Sequence, residues 1–189
     1  MPSTPRILAQ AVLLAAGLIG PLGQYATAQD ATALPGGASS LTEAHGDWTV
    51  ACQVAPASAA QPARKVCALS QRQVNQQGQM VFAAELGPSG EGGATGLLIL
   101  PFGVAVRDGV IVKIDDVQMG EPLAFSTCLP AGCIVPLDLD ADTVAKLTGG
   151  KAGIITAPTV EGAPIELSLS LNGLGGAMAR VTELEGIGR

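Results

Sequence analysis

Four cysteines, Cys52, Cys67, Cys128 and Cys133, are the residues of this chain whose type and spacing could do chemistry. Redox work normally uses two cysteines with two residues between them, whereas Cys128 and Cys133 enclose four, Pro130 and Gly132 among them. A zinc site wants more closely spaced pairs, and the sole histidine, His45, is far from the second pair in sequence. Structural disulfides are the remaining reading, and they suit a chain exported to an oxidising compartment. Four cysteines allow three connectivities, and sequence alone does not decide among them. Locality favours Cys52–Cys67 and Cys128–Cys133. In the chain-entropy description the first pair closes a loop worth roughly 3 kcal/mol and the second about 2 kcal/mol.

The carboxylates offer two further patterns. Asp138-Leu139-Asp140-Ala141-Asp142 opens like a calcium loop, but the sixth and twelfth positions, which need Gly and Glu, hold Thr143 and Gly149. Helix capping accounts for two of the same carboxylates without a metal. Asp115 and Asp116 could serve acid–base work, yet adjacent strand residues point to opposite faces and do not converge on one substrate atom. They read as a strand end entering a solvated turn. His45 falls in a segment expected to be poorly ordered, which conflicts with the geometry general-base catalysis needs. Gly90, Gly92, Gly93 and Gly96 precede an apolar strand and not a helix, so they read as loop and not as a phosphate cradle. No nucleophile-elbow motif occurs. The expectation is a protein that is not an enzyme, with no cofactor and no metal.

The N-terminal residues set the compartment. Arg6, the apolar run Ile7–Leu22 and the small-residue site Ala26-Thr27-Ala28 follow the order of a secretory signal peptide. Gly17, Gly20, Pro21 and Gly23 leave too short an apolar stretch for the roughly 20 residues of a spanning helix. The expected division is a signal peptide over residues 1–28, a disordered leader over 29–45 and one domain over 46–189. Losing Arg6 takes the formal net charge from −6 to −7. An acidic chain with scattered Lys and Arg lacks the footprint of a nucleic-acid binder, and nothing beyond the signal peptide is long and apolar enough to span a bilayer. The expected location is periplasmic, or secreted to the cell surface.

Short apolar runs separated by turn residues must position these side chains. Trp48 and Val50 alternate with polar neighbours into Cys52, and Ile165, Leu167, Leu169 and Leu171 alternate with Glu166, Ser168 and Ser170. Further strands are expected at Lys65–Asn75, Gln79–Leu86, Gly96–Val106 (kinked at Pro101 and Gly103), Val110–Ile114, Leu123–Thr127, Ile134–Leu139 and Ala152–Thr156. Asp108-Gly109 is a hairpin signal that would fold Val110–Ile114 back on the run before it. A helix is expected over residues 140–148, capped by Asp140 or Asp142 and stopped by Gly149-Gly150, and a second short one over 173–184. About eight strands with turn signals point to an all-β antiparallel sandwich, disulfide-stapled, with one or two short helices. Trp48, Phe102 and Phe125 are its expected structural core. The loops Val54–Lys65 and Gly87–Thr95 are the expected contact surfaces.

One ordered set of residues is more specific than any single motif. Gly46-Asp47-Trp48-x-Val50-x-Cys52, Cys67-x-x-x-Gln71, Leu100-Pro101-x-Gly103-Val104, Gly109-Val110, Ile114-Asp115, Pro122-x-x-Phe125-x-x-Cys128-x-x-x-Gly132-Cys133 and Leu169-Ser170-Leu171-x-Gly173 follow one another along the chain. The set resembles the invasion-associated locus B family from about Gly46 to Leu184. That resemblance implies an exported Gram-negative envelope protein with an immunoglobulin-like β-sandwich, two local disulfides and no attached enzymatic activity. Two departures stand out: a long Ala/Pro stretch between Cys52 and Cys67, and Leu174 where the family usually shows an aromatic. The functional expectation is protein–protein contact as an invasion or adhesion accessory factor, with a host-cell or envelope protein as partner. The alternative is an accessory or stabilising subunit of a membrane-protein complex in the envelope.

Overall fold

The computed structural model describes residues 32–187 apart from Ala60. The expected signal peptide, residues 1–28, lies outside the described residues, as does the start of the expected leader. In chain order the strands are β1 (Ser40–His45), β2 (Trp48–Ala55), β3 (Arg64–Val74), β4 (Met80–Pro88), β5 (Ala94–Leu100), β6 (Ile111–Ile114), β7 (Val117–Gln118), β8 (Thr127–Leu129) and β9 (Gly132–Leu139). Helix α1 (Ala141–Gly149), β10 (Ala152–Ala157), β11 (Ile165–Ser170) and helix α2 (Leu174–Glu185) complete the fold. Seven strands form one antiparallel sheet in the order β1-β2-β3-β4-β5-β9-β8, and four form a second in the order β11-β10-β6-β7. This is the all-β, two-sheet architecture with short helices that the sequence pattern predicts.

Period-two alternation decides which faces meet. In β2 the buried side chains are Trp48, Val50 and Cys52; in β3 they are Cys67, Leu69 and Gln71. Leu98 and Leu100 of β5 and Cys133, Val135 and Leu137 of β9 continue the same inner face. Val112, Ile155, Leu167 and Leu169 of the small sheet close over it, and all belong to one buried cluster. Beside β11, α2 lays a stripe of Leu174, Ala177, Met178, Val181 and Leu184 against β1 to β4. Gly173 makes that placement possible. Its φ is +86°, and a Cβ there would stand 2.0 Å from the His45 carbonyl oxygen.

Two expectations are corrected here. Ser40–His45 is not disordered: it is an edge strand paired along its length with β2, and Leu34 before it is buried in the core. Leu41 is the one large apolar residue on the inward side of β1, so the strand lacks a visible hydrophobic period. The other inward residues are Glu43 and His45, and Glu43 is held by charge. The Arg180 guanidinium of α2 donates from Nε and Nη2 to the two carboxylate oxygens of Glu43, each at 2.8 Å.

That pairing, chiefly through Arg180, holds the Glu43 carboxyl below its ordinary value of 4.5. The sign follows: a depressed folded value contributes stability above 4.5 and loses it as the pH falls from there through the folded value. The melting temperature of a Glu43→Gln variant is therefore expected to fall less steeply with acidification than that of the parent. Parallel melting curves through this window would show that the ion pair contributes nothing.

The second correction concerns Val110–Ile114, which does not fold back on β5. Both edges of β5 are already hydrogen-bonded, to β4 and to β9. The chain instead leaves β5 at Pro101, turns at Gly103 (φ +93°) and crosses to the other layer. Val104 bridges Thr159 there, and the Ala105 N–H donates to the Pro158 carbonyl at 2.8 Å. β6 then inserts between β10 and β7. The tight hairpin lies one strand later, at Asp115-Asp116, where both residues have positive φ (47° and 67°).

Candidate functional site

The residues singled out for chemistry take up structural posts. Asp140 caps α1, its Oδ1 accepting the Thr143 N–H at 2.8 Å. The Asp115 carboxylate accepts N–H bonds from Lys151 and Ala152, each 3.0 Å from Oδ1, and so fixes the start of β10. His45 closes β1 with its Nε2 3.4 Å from Glu43. Among the described residues no group of three or more His, Cys, Asp or Glu side chains is arranged to hold a metal ion.

The cysteines form two bridges, Cys52–Cys67 and Cys128–Cys133. Each joins residues directly opposite in adjacent antiparallel strands, β2 with β3 and β8 with β9. Cys52 and Cys67 are buried, whereas Cys128 is exposed on the outermost strand of the sheet. Trp48 is buried, and its Nε1–H donates to the Ser170 carbonyl of β11 at 2.8 Å. Phe125 is half-buried against the core.

Phe102 is the third core expectation, and the structure overturns it: the side chain is 64% exposed. A regular strand continuing past Leu98 and Leu100 would have carried Phe102 inward. Pro101 ends the ladder, and the turn at Gly103 swings the ring out. It has company there. Val160 (74% exposed), Leu129 (52%) and Val106 (48%) lie on the neighbouring turns. The Val160 N–H donates to the Gly103 carbonyl at 3.0 Å, and the pairing of Leu129 with Gly132 sits beside the end of β5, where Cys133 pairs with Leu100. Val74, exposed at the end of β3, belongs to the same end of the large sheet by register.

Large apolar side chains are thus gathered where β3 and β5 finish, with Arg107, Asp108 and Glu161 exposed among them. An apolar centre with a polar rim is the usual composition of a contact surface. The loops expected to make contact lie at the opposite end, where β3 begins. Strand pairing also shortens them, since β2 runs to Ala55, β3 starts at Arg64, β4 runs to Pro88 and β5 starts at Ala94. Exposure of single apolar residues leaves no signal in sequence. The one available clue was Pro101 beside Gly103, which breaks the strand just before and after Phe102.

These features define a class: a two-sheet, disulfide-stapled β-sandwich backed by a helix, with Asp140, Asp115 and Glu43 engaged in a cap, a turn and an ion pair. Within that class the chain belongs to the invasion-associated locus B family, matching "Invasion associated locus B (IalB) protein" over residues 48–182. It is 40% identical over 156 residues to an invasion protein B homologue of Brucella abortus, covering 82% of this chain and 86% of that protein. It is 33% identical over 163 residues to invasion protein B of Bartonella bacilliformis, covering 85% of this chain and 84% of that one. The crystal structure of invasion associated protein B from Bartonella henselae superposes with a TM-score of 0.70 at 32% identity, over 79% of this chain and 99% of that chain. No helix among the described residues is long and apolar enough to cross a membrane.

Proposed function

We propose that this chain is an exported, non-enzymatic envelope protein that acts by protein–protein contact, as an accessory factor in invasion or adhesion. The exposed apolar end built by Phe102, Val106, Leu129 and Val160 carries the reading. Side chains of this size gain nothing by facing water, and a partner that covers them recovers roughly 1.5–3 kcal/mol for each one fully buried. Membership of a family whose relatives are named invasion proteins supports the direction of the proposal. The bridge Cys128–Cys133 lies at the same end and holds the β8–β9 turn that presents Leu129.

The test is capture of partners from the bacterium's own envelope after mild crosslinking, read by mass spectrometry, with Phe102→Ser/Val160→Ser as the comparison. Both side chains are exposed, so the double variant is expected to keep its unfolding free energy within the roughly 0.5 kcal/mol of ordinary surface changes. The parent should enrich a protein that the variant loses. Equal capture by the two proteins would remove this end from the contact. An inner-membrane complex as the captured partner would favour the accessory-subunit reading. Absence of an endogenous partner, with protease access on intact cells, would favour contact with a host.

A further inference from the structure

A cleft of about 390 Å³ enters between the two sheets, with Leu174 at the start of α2 in its lining and none of Phe102, Val106, Leu129 or Val160. Trp48, Leu86 and Leu98 of the large sheet form one wall, and Val112, Ile155 and Leu169 of the small sheet form the other. The volume falls within the roughly 300–1,000 Å³ of small-molecule sites, and well-packed cores hold few voids larger than one water. The mouth lies between the segment Met119–Ala124 and helix α1, which contributes Thr143 and Leu147. Two backbone pairs hold that segment in place: Met119 N–H to the Val112 carbonyl and Leu123 with Val110, all at 2.8–2.9 Å. The mouth is therefore a formed opening.

Its charge is one-sided. Glu121 and Asp138 line the cleft, and no Lys, Arg or His among the described residues does. Both carboxylates are on exposed residues, so they meet a ligand's head and not its buried body. We infer that the cleft binds a small amphiphile, whose apolar chain enters between the sheets and whose cationic head rests between Glu121 and Asp138. Two carboxylates at the entrance repel a carboxylate or phosphate head and attract an amine.

Trp48 is the single tryptophan of the chain, so its emission reports the cleft directly. The experiment titrates the purified protein with dodecyltrimethylammonium, dodecanoate and dodecyl maltoside, each below its micellar concentration. A saturable change in Trp48 emission is expected, with the cation binding on the order of tenfold more tightly than the anion. Glu121→Gln/Asp138→Asn should erase that preference while binding of the maltoside persists. Ala84→Leu, which adds bulk to the lining, should abolish the response to all three. Leu123→Trp at the half-buried mouth should weaken binding of all three, read by heat of binding because it adds a second indole, in case the core variant does not fold. Absence of saturation with every amphiphile overturns the inference. Binding unmoved by both blocking variants, or dodecanoate binding as tightly as the cation, overturns it as well.

Discussion

Replacing Cys52 and Cys67 together by alanine is expected to lower the unfolding free energy by about 3 kcal/mol, and replacing Cys128 and Cys133 by about 2 kcal/mol. The order follows from the loops, which span sequence separations of 15 and 5 residues, since the longer one restrains more of the unfolded chain. Burial works in the same direction, because Cys52 and Cys67 are both in the core and their loss also removes packed sulfur. For a domain at the low end of the ordinary range, about 5 kcal/mol, loss of both bridges leaves a protein near its threshold. Urea unfolding of the two double variants measures the pair of values. Exposure adds an order of reduction: Cys128 faces solvent, so graded thiol with alkylation and mass spectrometry should label Cys128 and Cys133 first. Denaturation midpoints unchanged by reductant would mean the bridges do not hold the sheet together.

The strands that sequence revealed are those whose inward residues are mostly apolar, Gln71 of β3 being the polar exception. Trp48, Val50 and Cys52 alternate, as do Leu167 and Leu169, and both segments are strands with those residues buried. β1 stayed hidden because its inward face is Leu41, Glu43 and His45, where an ion pair to Arg180 of α2 does the work that an apolar side chain does elsewhere. A partner 137 residues away leaves no local trace. The crossing after β5 was unreadable for a related reason. Asp108-Gly109 is a sound turn signal, but whether the next strand returns to β5 depends on β9 having taken that edge, and β9 comes later in the chain. The second helix was legible despite its glycines, since Leu174, Met178 and Val181 recur at helical spacing.

The exposed apolar end was the least legible feature. An apolar run such as Leu97 to Val104 gives the same pattern whether its last side chains turn in or out. The outcome rests on Pro101 ending the ladder and on the Val104–Thr159 bridge that pulls the backbone toward the other sheet. The cleft was equally invisible. Its walls are ordinary core positions by pattern, and it exists because Met119–Ala124 passes over the gap without filling it.

Gln71→Leu is expected to cost about 1–3 kcal/mol, although it replaces a polar residue by an apolar one of similar size at a site only 4% exposed. β11 is the outer strand of the small sheet, so the N–H and carbonyl of Ser170 that face away from β10 have no strand to pair with. The Gln71 carboxamide takes the place of that strand: its Oε1 accepts the Ser170 N–H at 2.9 Å, and its Nε2 donates to the Ser170 carbonyl at 3.0 Å. Trp48 adds a second donor to the same carbonyl, and two residues along β3 the Gln73 amide donates to the Ser168 carbonyl. Leucine in place of Gln71 strands the Ser170 N–H in a partly buried position, a loss that hydrophobic gain at one site does not offset. Gln71→Glu separates this account from simple packing. A carboxylate still accepts the N–H but faces the carbonyl oxygen, so its folded pKa is raised and its stability is retained at acid pH and lost as the pH rises. Urea unfolding gives the magnitudes, and hydrogen exchange at the Ser170 amide gives the site. A Gln71→Leu protein as stable as the parent, with that amide still protected, would show that apolar packing alone joins the two sheets.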